Sequence, residues 1–192
     1  MSVGVVVLAA GASTRLSRPK QLVQHRGQSL LQGTVDAAIA SACGPVVVVL
    51  GAYAEQVQSE VPQGATVLHN PAWAIGMGTS ICCGVRWLEA NLPDVEAALL
   101  MVCDQPFVTT DLIHQLVTAY RLSGKAIAAS TYRETVGVPA LFDQSLFSAL
   151  KDLTVQGAKA VLTQHRPQVY PVSFPEGAID IDTAADVQRW LM

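Results

Sequence analysis

The chain has 192 residues, a formal net charge of −3, 51% apolar residues and only 14% charged ones, where ordinary soluble domains carry about 25% charged residues. This composition excludes a disordered chain, a collagen-like fibre and a basic nucleic-acid coat protein. The longest apolar runs, residues 3–10 and 46–50, fall far short of the ~20 residues that a membrane-spanning helix needs.

In chain order, residues 3–8 form a β-branched run of the kind buried on both faces of a parallel sheet. Ser29 is placed to cap a helix reaching Ala42, with Leu31, Val35, Ala38 and Ile39 on one face and Gly44-Pro45 ending it. Residues 46–50 read as a second buried strand, followed by a short helix near 54–60 and a third strand at 66–69. Residues 76–78 read as a flexible loop before a helix over 79–90, and residues 97–103 as a fourth strand. Thr110 is expected to cap the helix in which Leu112, Ile113, Leu116, Val117 and Tyr120 recur at helical spacing. Strands at 126–131 and 136–142, helices near 144–153 and 158–164, a last strand at 169–174 and a closing helix at 183–191 complete the pattern. Strands alternating with helices of this length predict an open, mostly parallel α/β sheet. No repeat or linker divides the chain, so residues 1–192 read as one domain.

The N-terminus lacks the basic region of a secretory leader. Cys43, Cys82, Cys83 and Cys103 show no CxxC spacing, so they are expected to be small buried residues in a reducing, cytoplasmic setting. His25, His69, His114 and His165 lack metal-ligand spacing, and Trp73, Trp87 and Trp190 read as core or lid residues. Neither a nucleic acid nor a membrane is expected as a partner.

The few charges are unevenly placed. Arg15, Arg18, Lys20 and Arg26 all precede the first acidic residue, Asp36, while Asp180, Asp182 and Asp186 cluster near the other end. A basic stretch after an apolar strand suits a phosphate, and clustered aspartates suit a hard cation; the plain alternative is two solvated loops. Residues 11–20 and Asp104 both follow predicted strands, and ligands of such sheets bind beyond the carboxyl ends of strands. The loop contains neither GxGxxG nor GxxxxGK[ST], which disfavours a dinucleotide-dependent oxidoreductase and a P-loop. The small residues Ala9 to Ser13 let backbone approach a flat ligand and turn amides towards phosphate. Arg15 and Lys20 then reach phosphate oxygens, the first as a fork and the second as a point charge.

The segment Leu8-Ala9-Ala10-Gly11-Ala12-Ser13-Thr14-Arg15-Leu16-Ser17-Arg18-Pro19-Lys20 resembles the LAAGxSxRMGxxKxLL signature of nucleotidyltransferases of the MobA/MocA type, above all the molybdenum-cofactor cytidylyltransferase group. Gly76-Met77-Gly78-Thr79-Ser80 is similar to its GMGxS loop, Cys103-Asp104-Gln105-Pro106-Phe107 to its (G/C)DxP(F/L) strand end, and Gly137-Val138-Pro139-Ala140-Leu141-Phe142 to GxPxLF. Asp180-Ile181-Asp182-Thr183, with Asp186, resembles DxDTPED. Leu16 stands where the family has Met, Ser17 where it has Gly, Ala184 where proline is usual, and Val155 where GDxGA carries an acid. Ser17 matters if its backbone needs positive φ.

The resemblance implies a Rossmann-like three-layer α/β/α fold and Mg²⁺-dependent nucleotidyl transfer from CTP to a phosphorylated acceptor such as molybdopterin, with loss of pyrophosphate. It implies that Arg15, Lys20 and Asp104 are catalytic and that Leu8, Ala9, Ala10, Gly11, Gly78, Thr79 and Ser80 join them around the nucleotide. Asp104 and Asp182 would ligate the metal, ahead of Asp180, and Pro139 would face the acceptor. The rival role for Asp182 or Thr183 is capping the final helix. Guanine-using relatives read LAGG where this chain has Ala9-Ala10-Gly11, which favours CTP. The alternatives are GTP-dependent guanylyl transfer, a sugar- or alditol-phosphate acceptor, and a non-catalytic molybdenum-cofactor chaperone. A molybdoenzyme receiving the product is a further partner that the resemblance suggests.

Overall fold

The protein is described by a computed structural model covering residues 2–191. Its centre is a seven-stranded sheet in the order β5-β4-β1-β6-β8-β7-β9. β1 (Ser2–Ala9) lies between β4 (Val46–Leu50) and β6 (Val95–Val102), parallel to both, and β5 (Ala65–His69) extends the same edge in parallel. β7 (Ile127–Tyr132) and β8 (Thr135–Asp143) form an antiparallel hairpin, and β8 also runs antiparallel to β6. β9 (Val169–Ser173) closes the far edge parallel to β7. Two short strands, β2 (Gln24–His25) and β3 (Gln28–Ser29), make a separate hairpin that the sequence pattern does not reveal.

Alternation along the strands builds two cores. Val5, Val7, Val48, Leu99 and Met101 face α1 (Leu30–Ala40) and α4 (Thr110–Ser123). Val6, Leu8, Val47, Val49 and Leu100 face α3 (Met77–Asn91), α5 (Phe147–Lys151) and α6 (Lys159–Gln164). Fully burying such a side chain contributes about 1.5–3 kcal/mol, so this twice-covered sheet explains the high apolar content. A short α2 (Ala54–Val57) and a closing α7 (Ala184–Trp190) complete the set. Among the described residues no helix is long and apolar enough to cross a membrane.

Several expectations are adjusted. Thr109, not Thr110, caps α4, its side chain accepting from the Leu112 amide; the Thr110 hydroxyl donates instead to the Ala37 carbonyl. Met77 and Gly78 lie in the first turn of α3, so only Gly76 remains of the expected flexible loop. Gly76 adopts φ 155°, and a Cβ there would strike the backbone of Thr154 and Val155. Of the cysteines only Cys103 is buried; Cys43, Cys82 and Cys83 are partly exposed, and all four are free thiols.

Candidate active site

The first element of the site is the loop leaving β1. Gln21 is buried, and its side-chain amide donates to the carbonyls of Ala9 (2.7 Å) and Gly11 (3.2 Å). Tyr53 Oη donates to the Ala12 carbonyl at 2.9 Å. Ser13 takes a left-handed φ of 51°, and its Oγ accepts from the Lys20 amide at 3.0 Å. The carbonyls are thus held by the protein, whereas the backbone amides of Gly11, Ala12, Ser13, Thr14 and Arg15 have no acceptor among the described residues. A curl of unpaired amides followed by basic side chains is a site for phosphate. Gln21 and Tyr53 escape sequence reasoning because their roles depend on tertiary contacts.

The second element is the pair of aspartate segments. Asp104 follows β6, and its carbonyl accepts from the Ile181 amide at 2.9 Å. Ile181 is fully buried and packs with Leu16, Val23 and Leu30. Alternation along this extended stretch turns the flanking Asp180 and Asp182 the other way, towards Asp104. Thr183 caps α7 and forms a reciprocal capping box with Asp186. The cap therefore consumes Asp186 and leaves the Asp182 carboxylate free for the site, which answers the rival capping role.

Lys20 joins the two elements. Its ammonium donates to Asp104 Oδ2 and to Asp182 Oδ1, the latter at 3.2 Å, while Arg15 Nη2 reaches Asp182 Oδ2 at 2.8 Å. Burial alone would lower the Lys20 pKa, but Asp104, Cys103 and Asp182 together hold it well above its ordinary value. Asp180 is pushed up to about 6 by burial and then by the charges of Asp104 and Asp182. The Cys103 thiol, fully enclosed and beside Asp104, is raised to about 12 and stays protonated.

A cavity of about 240 Å³ opens beside this cluster, and Leu8, Ala9, Ala10, Gly11, Lys20, Ser80 and Asp104 line it. Trp73, Met77, Gln21, Val102 and Cys103 complete the wall. Trp73 thus sits at the cavity rather than in the core. Arg15, Gly78 and Thr79 are not in the wall. Gly78 is buried, and a Cβ there would lie 2.6 Å from the Thr154 nitrogen. The Thr79 hydroxyl is occupied by the Gly76 and Ala72 carbonyls and by Asn70, which also holds Ser80. Pro139 is buried in β8 with its carbonyl accepting from Ser130 (2.7 Å); its neighbours Gly137 and Val138 line a second cavity on the other side of Asp104.

The residues offer oxygen donors to a divalent cation. Asp104 Oδ1 is buried without a partner, and the Asp104–Asp182 pair already accommodates the cationic head of Lys20. No group of three or more acidic, histidine or cysteine side chains among the described residues could hold a metal by itself.

Known proteins resemble the chain over most of its length. The family model of the MobA-like NTP transferase domain matches residues 5–169. Nicotine blue oxidoreductase of Paenarthrobacter nicotinovorans is 29% identical over 199 residues, covering 97% of this chain and 95% of that protein. The bifunctional protein GlmU of Sorangium cellulosum is 31% identical over 183 residues, or 86% of this chain, yet only 37% of the longer GlmU is covered. Among solved structures, Rv0371c from Mycobacterium tuberculosis H37Rv is 26% identical with a TM-score of 0.83, covering 100% of this chain and 98% of that one. A manganese complex of Rv0371c is similar at 25% identity and a TM-score of 0.78, over 100% of this chain and 98% of that one.

Proposed function

Because the chain belongs to the family of MobA-like NTP transferase domains, and so is a nucleotidyltransferase, we propose that it transfers the cytidylyl group of CTP to the phosphate of a molybdopterin-type acceptor with Mg²⁺ bound. An oxygen of the acceptor phosphate attacks the α-phosphorus of CTP. A new P–O bond forms there, the bond from the α-phosphorus to the bridging oxygen breaks, and pyrophosphate leaves. The acceptor phosphate is already largely ionised near neutral pH, since its second pKa is about 6. No general base is needed, and none of the site residues has to serve as one.

The supporting observation is the position of Lys20, between Asp104 and Asp182 and at the end of a loop whose amides are unpaired. The amides of residues 11–15 and Arg15 bind the triphosphate. Lys20 moves its hydrogen bonds from carboxylate to phosphate oxygens as they arrive, at small cost because both partners are anionic oxygens. Asp104 and Asp182 would hold Mg²⁺, which when bound would supply charge neutralisation for the phosphates. The Ala10 methyl, in the wall of a cavity of only about 240 Å³, narrows the space beside the base and favours a pyrimidine. One methyl discriminates by about 1–3 kcal/mol.

The test is pyrophosphate release with each of the four NTPs, with and without molybdopterin, in magnesium. CTP with molybdopterin should give the largest kcat/KM. A GTP preference would move the base assignment, and turnover with a sugar or alditol phosphate alone would move the acceptor. Tight molybdopterin binding without pyrophosphate release would favour a chaperone. Because one relative bears the name of an oxidoreductase, oxidation of NADH and NADPH belongs in the same samples. None is expected, because the loop leaving β1 carries no GxGxxG pattern for a dinucleotide.

A further inference from the structure

Asp104 and Asp182 come from segments far apart in the chain, and like charges push those segments apart. The geometry points to Gln105 as a positioning residue: its side-chain amide clamps the turn Pro175–Ala178 to the end of β6, and so fixes the spacing of the Asp104–Asp182 pair and its affinity for a divalent cation. This inference rests on the nucleotidyl-transfer reading above, in which that pair holds the ion.

Two hydrogen bonds join the segments. The Ile181 amide donates to the Asp104 carbonyl at 2.9 Å, and Gln105 Nε2 donates to the Gly177 carbonyl at 3.1 Å. A single bond at Ile181 would leave the stretch free to pivot about it, and the second bond at Gly177 removes the pivot. Pivoting would be costly for the site, because side chains alternate along an extended stretch. A rotation that turned Asp182 away from Asp104 would also pull Ile181 from its pocket.

The clamp at Gly177 is neutral, so it holds whether or not a cation lies between the carboxylates. Asp104, Asp180 and Asp182 all line the second cavity and repel one another. Lys20 offsets this through Asp104 and Asp182, but that support is withdrawn when its ammonium turns to phosphate. The Gln105 bond is unaffected by that move.

Burial is the further reason. Gln105 is 2% exposed, and its Oε1 is buried without a partner among the described residues. An apolar side chain of the same size would fill the space without stranding an oxygen, so packing alone does not account for an amide here. The bond to Gly177 does. Gly177 is itself seated without slack, since a Cβ there would lie 2.5 Å from the Phe174 ring and 2.6 Å from the Tyr132 ring. Phe174 is fixed to β7 in turn, its amide donating to the Thr131 carbonyl at 3.0 Å.

The experiment titrates the intact protein with Mn²⁺ alone and reads the free ion by electron paramagnetic resonance. Gln105→Met keeps the volume and loses the donor, and it should weaken Mn²⁺ binding about tenfold, as loss of an outer support of a metal ligand does. Gln105→Asn, one methylene too short to reach Gly177, should do the same and serves where the methionine variant fails to fold. In an Asp182→Asn background, Gln105→Met should add less than about twofold, because a residue acting through Asp182 has nothing left to position. In turnover, Gln105→Met should raise the Mg²⁺ concentration for half-maximal rate about tenfold and approach the wild-type kcat at saturating Mg²⁺. A merely structural role would lower the rate at every Mg²⁺ concentration and leave the half-maximal concentration unchanged, and that result overturns the proposal. So do wild-type Mn²⁺ affinity in the Gln105 variants, an undiminished loss in the Asp182→Asn background, or a wild type that binds no Mn²⁺. The expected binding pattern without pyrophosphate release from any NTP would support the positioning role and overturn nucleotidyl transfer, so the two failures are distinguishable.

Discussion

Replacing Lys20 by methionine removes one cation from three carboxylates while keeping most of the side chain's volume. The Lys20 and Asp104 side chains are each 18% exposed and that of Asp182 is 29% exposed. Exposed ion pairs contribute about 0.2–1 kcal/mol, whereas breaking a fully buried pair costs about 3–5 kcal/mol. A site mostly enclosed but open to a cavity falls between, so Lys20→Met should lose about 2 kcal/mol in urea unfolding. Much of that loss should be recovered in millimolar Mg²⁺, because a divalent ion can take over the charge between Asp104 and Asp182. The kinetic loss should be larger, since a hydrogen bond to a charged group contributes about 1.5–3 kcal/mol and the contact tightens as charge develops on the leaving phosphates. A fall in kcat/KM of about 100-fold, near 2.7 kcal/mol, should appear in a pyrophosphate-release assay. Lys20→Arg should recover stability better than activity, since a planar fork does not place its charge where an ammonium does. Unchanged unfolding together with kcat/KM within tenfold of wild type would refute the role given to Lys20.

Other substitutions test the frame that positions the site. Ser17 has φ 58°, a conformation costing a residue with a Cβ about 1 kcal/mol; Ser17→Gly should therefore raise the thermal midpoint slightly and leave kcat unchanged, and a lower midpoint would contradict the strain argument. Gly84 packs on Val6, where a new Cβ would lie 3.1 Å from Cγ2 and closer still to Cγ1; Gly84→Ala should cost about 1–3 kcal/mol in urea unfolding and shift α3 away from β1. Asp143 accepts from Tyr120 Oη at 2.5 Å, Ser145 Oγ at 2.6 Å and the Ser145 amide at 2.9 Å. Burial would raise its pKa, but these hydrogen bonds outweigh burial and hold it below the ordinary value. A depressed folded-state pKa stabilises above the unfolded-state pKa of about 4, and that contribution is lost as pH falls through the folded value. Asp143→Ala should thus be less stable by about 1 kcal/mol at pH 7, with the gap to wild type closing below pH 4; a gap that stays constant would contradict it.

The parallel half of the sheet was legible because strands covered on both faces must be continuous apolar runs, as residues 46–50 are. The antiparallel β8 was legible as a strand but not in its direction. Its turn at Arg133 and Glu134 has φ of 46° and 60°, yet carries none of the Gly or Asn that announces such a turn. In the site, Lys20, Asp104 and Asp182 were visible as charges at predicted strand ends or in a motif, and the fold brings them into contact. Thr79 and Gly78 share a motif with Ser80 but lie outside the cavity wall, where the Thr79 hydroxyl bonds Asn70 and the Ala72 and Gly76 carbonyls and Gly78 packs closely on the backbone of Leu153 and Thr154. Gln21 gave no signal: a buried glutamine is defined by the carbonyls it finds, and those lie along a backbone path that sequence does not display. Pro139 shows the same difficulty: it is buried in β8, while residues 135–138 just before it line the second cavity.

The most direct test of nucleotidyl transfer at this cluster is product analysis after incubation with CTP, molybdopterin and Mg²⁺, comparing wild type with Asp104→Asn. Wild type should yield cytosine dinucleotide and pyrophosphate in equal amounts. Asp104→Asn should yield neither while binding CTP within about tenfold of wild type, because it removes the proposed metal ligand and leaves the amide loop in place. Dinucleotide formed by Asp104→Asn at the wild-type rate, or none formed by wild type with any NTP and phosphorylated acceptor, would contradict the account.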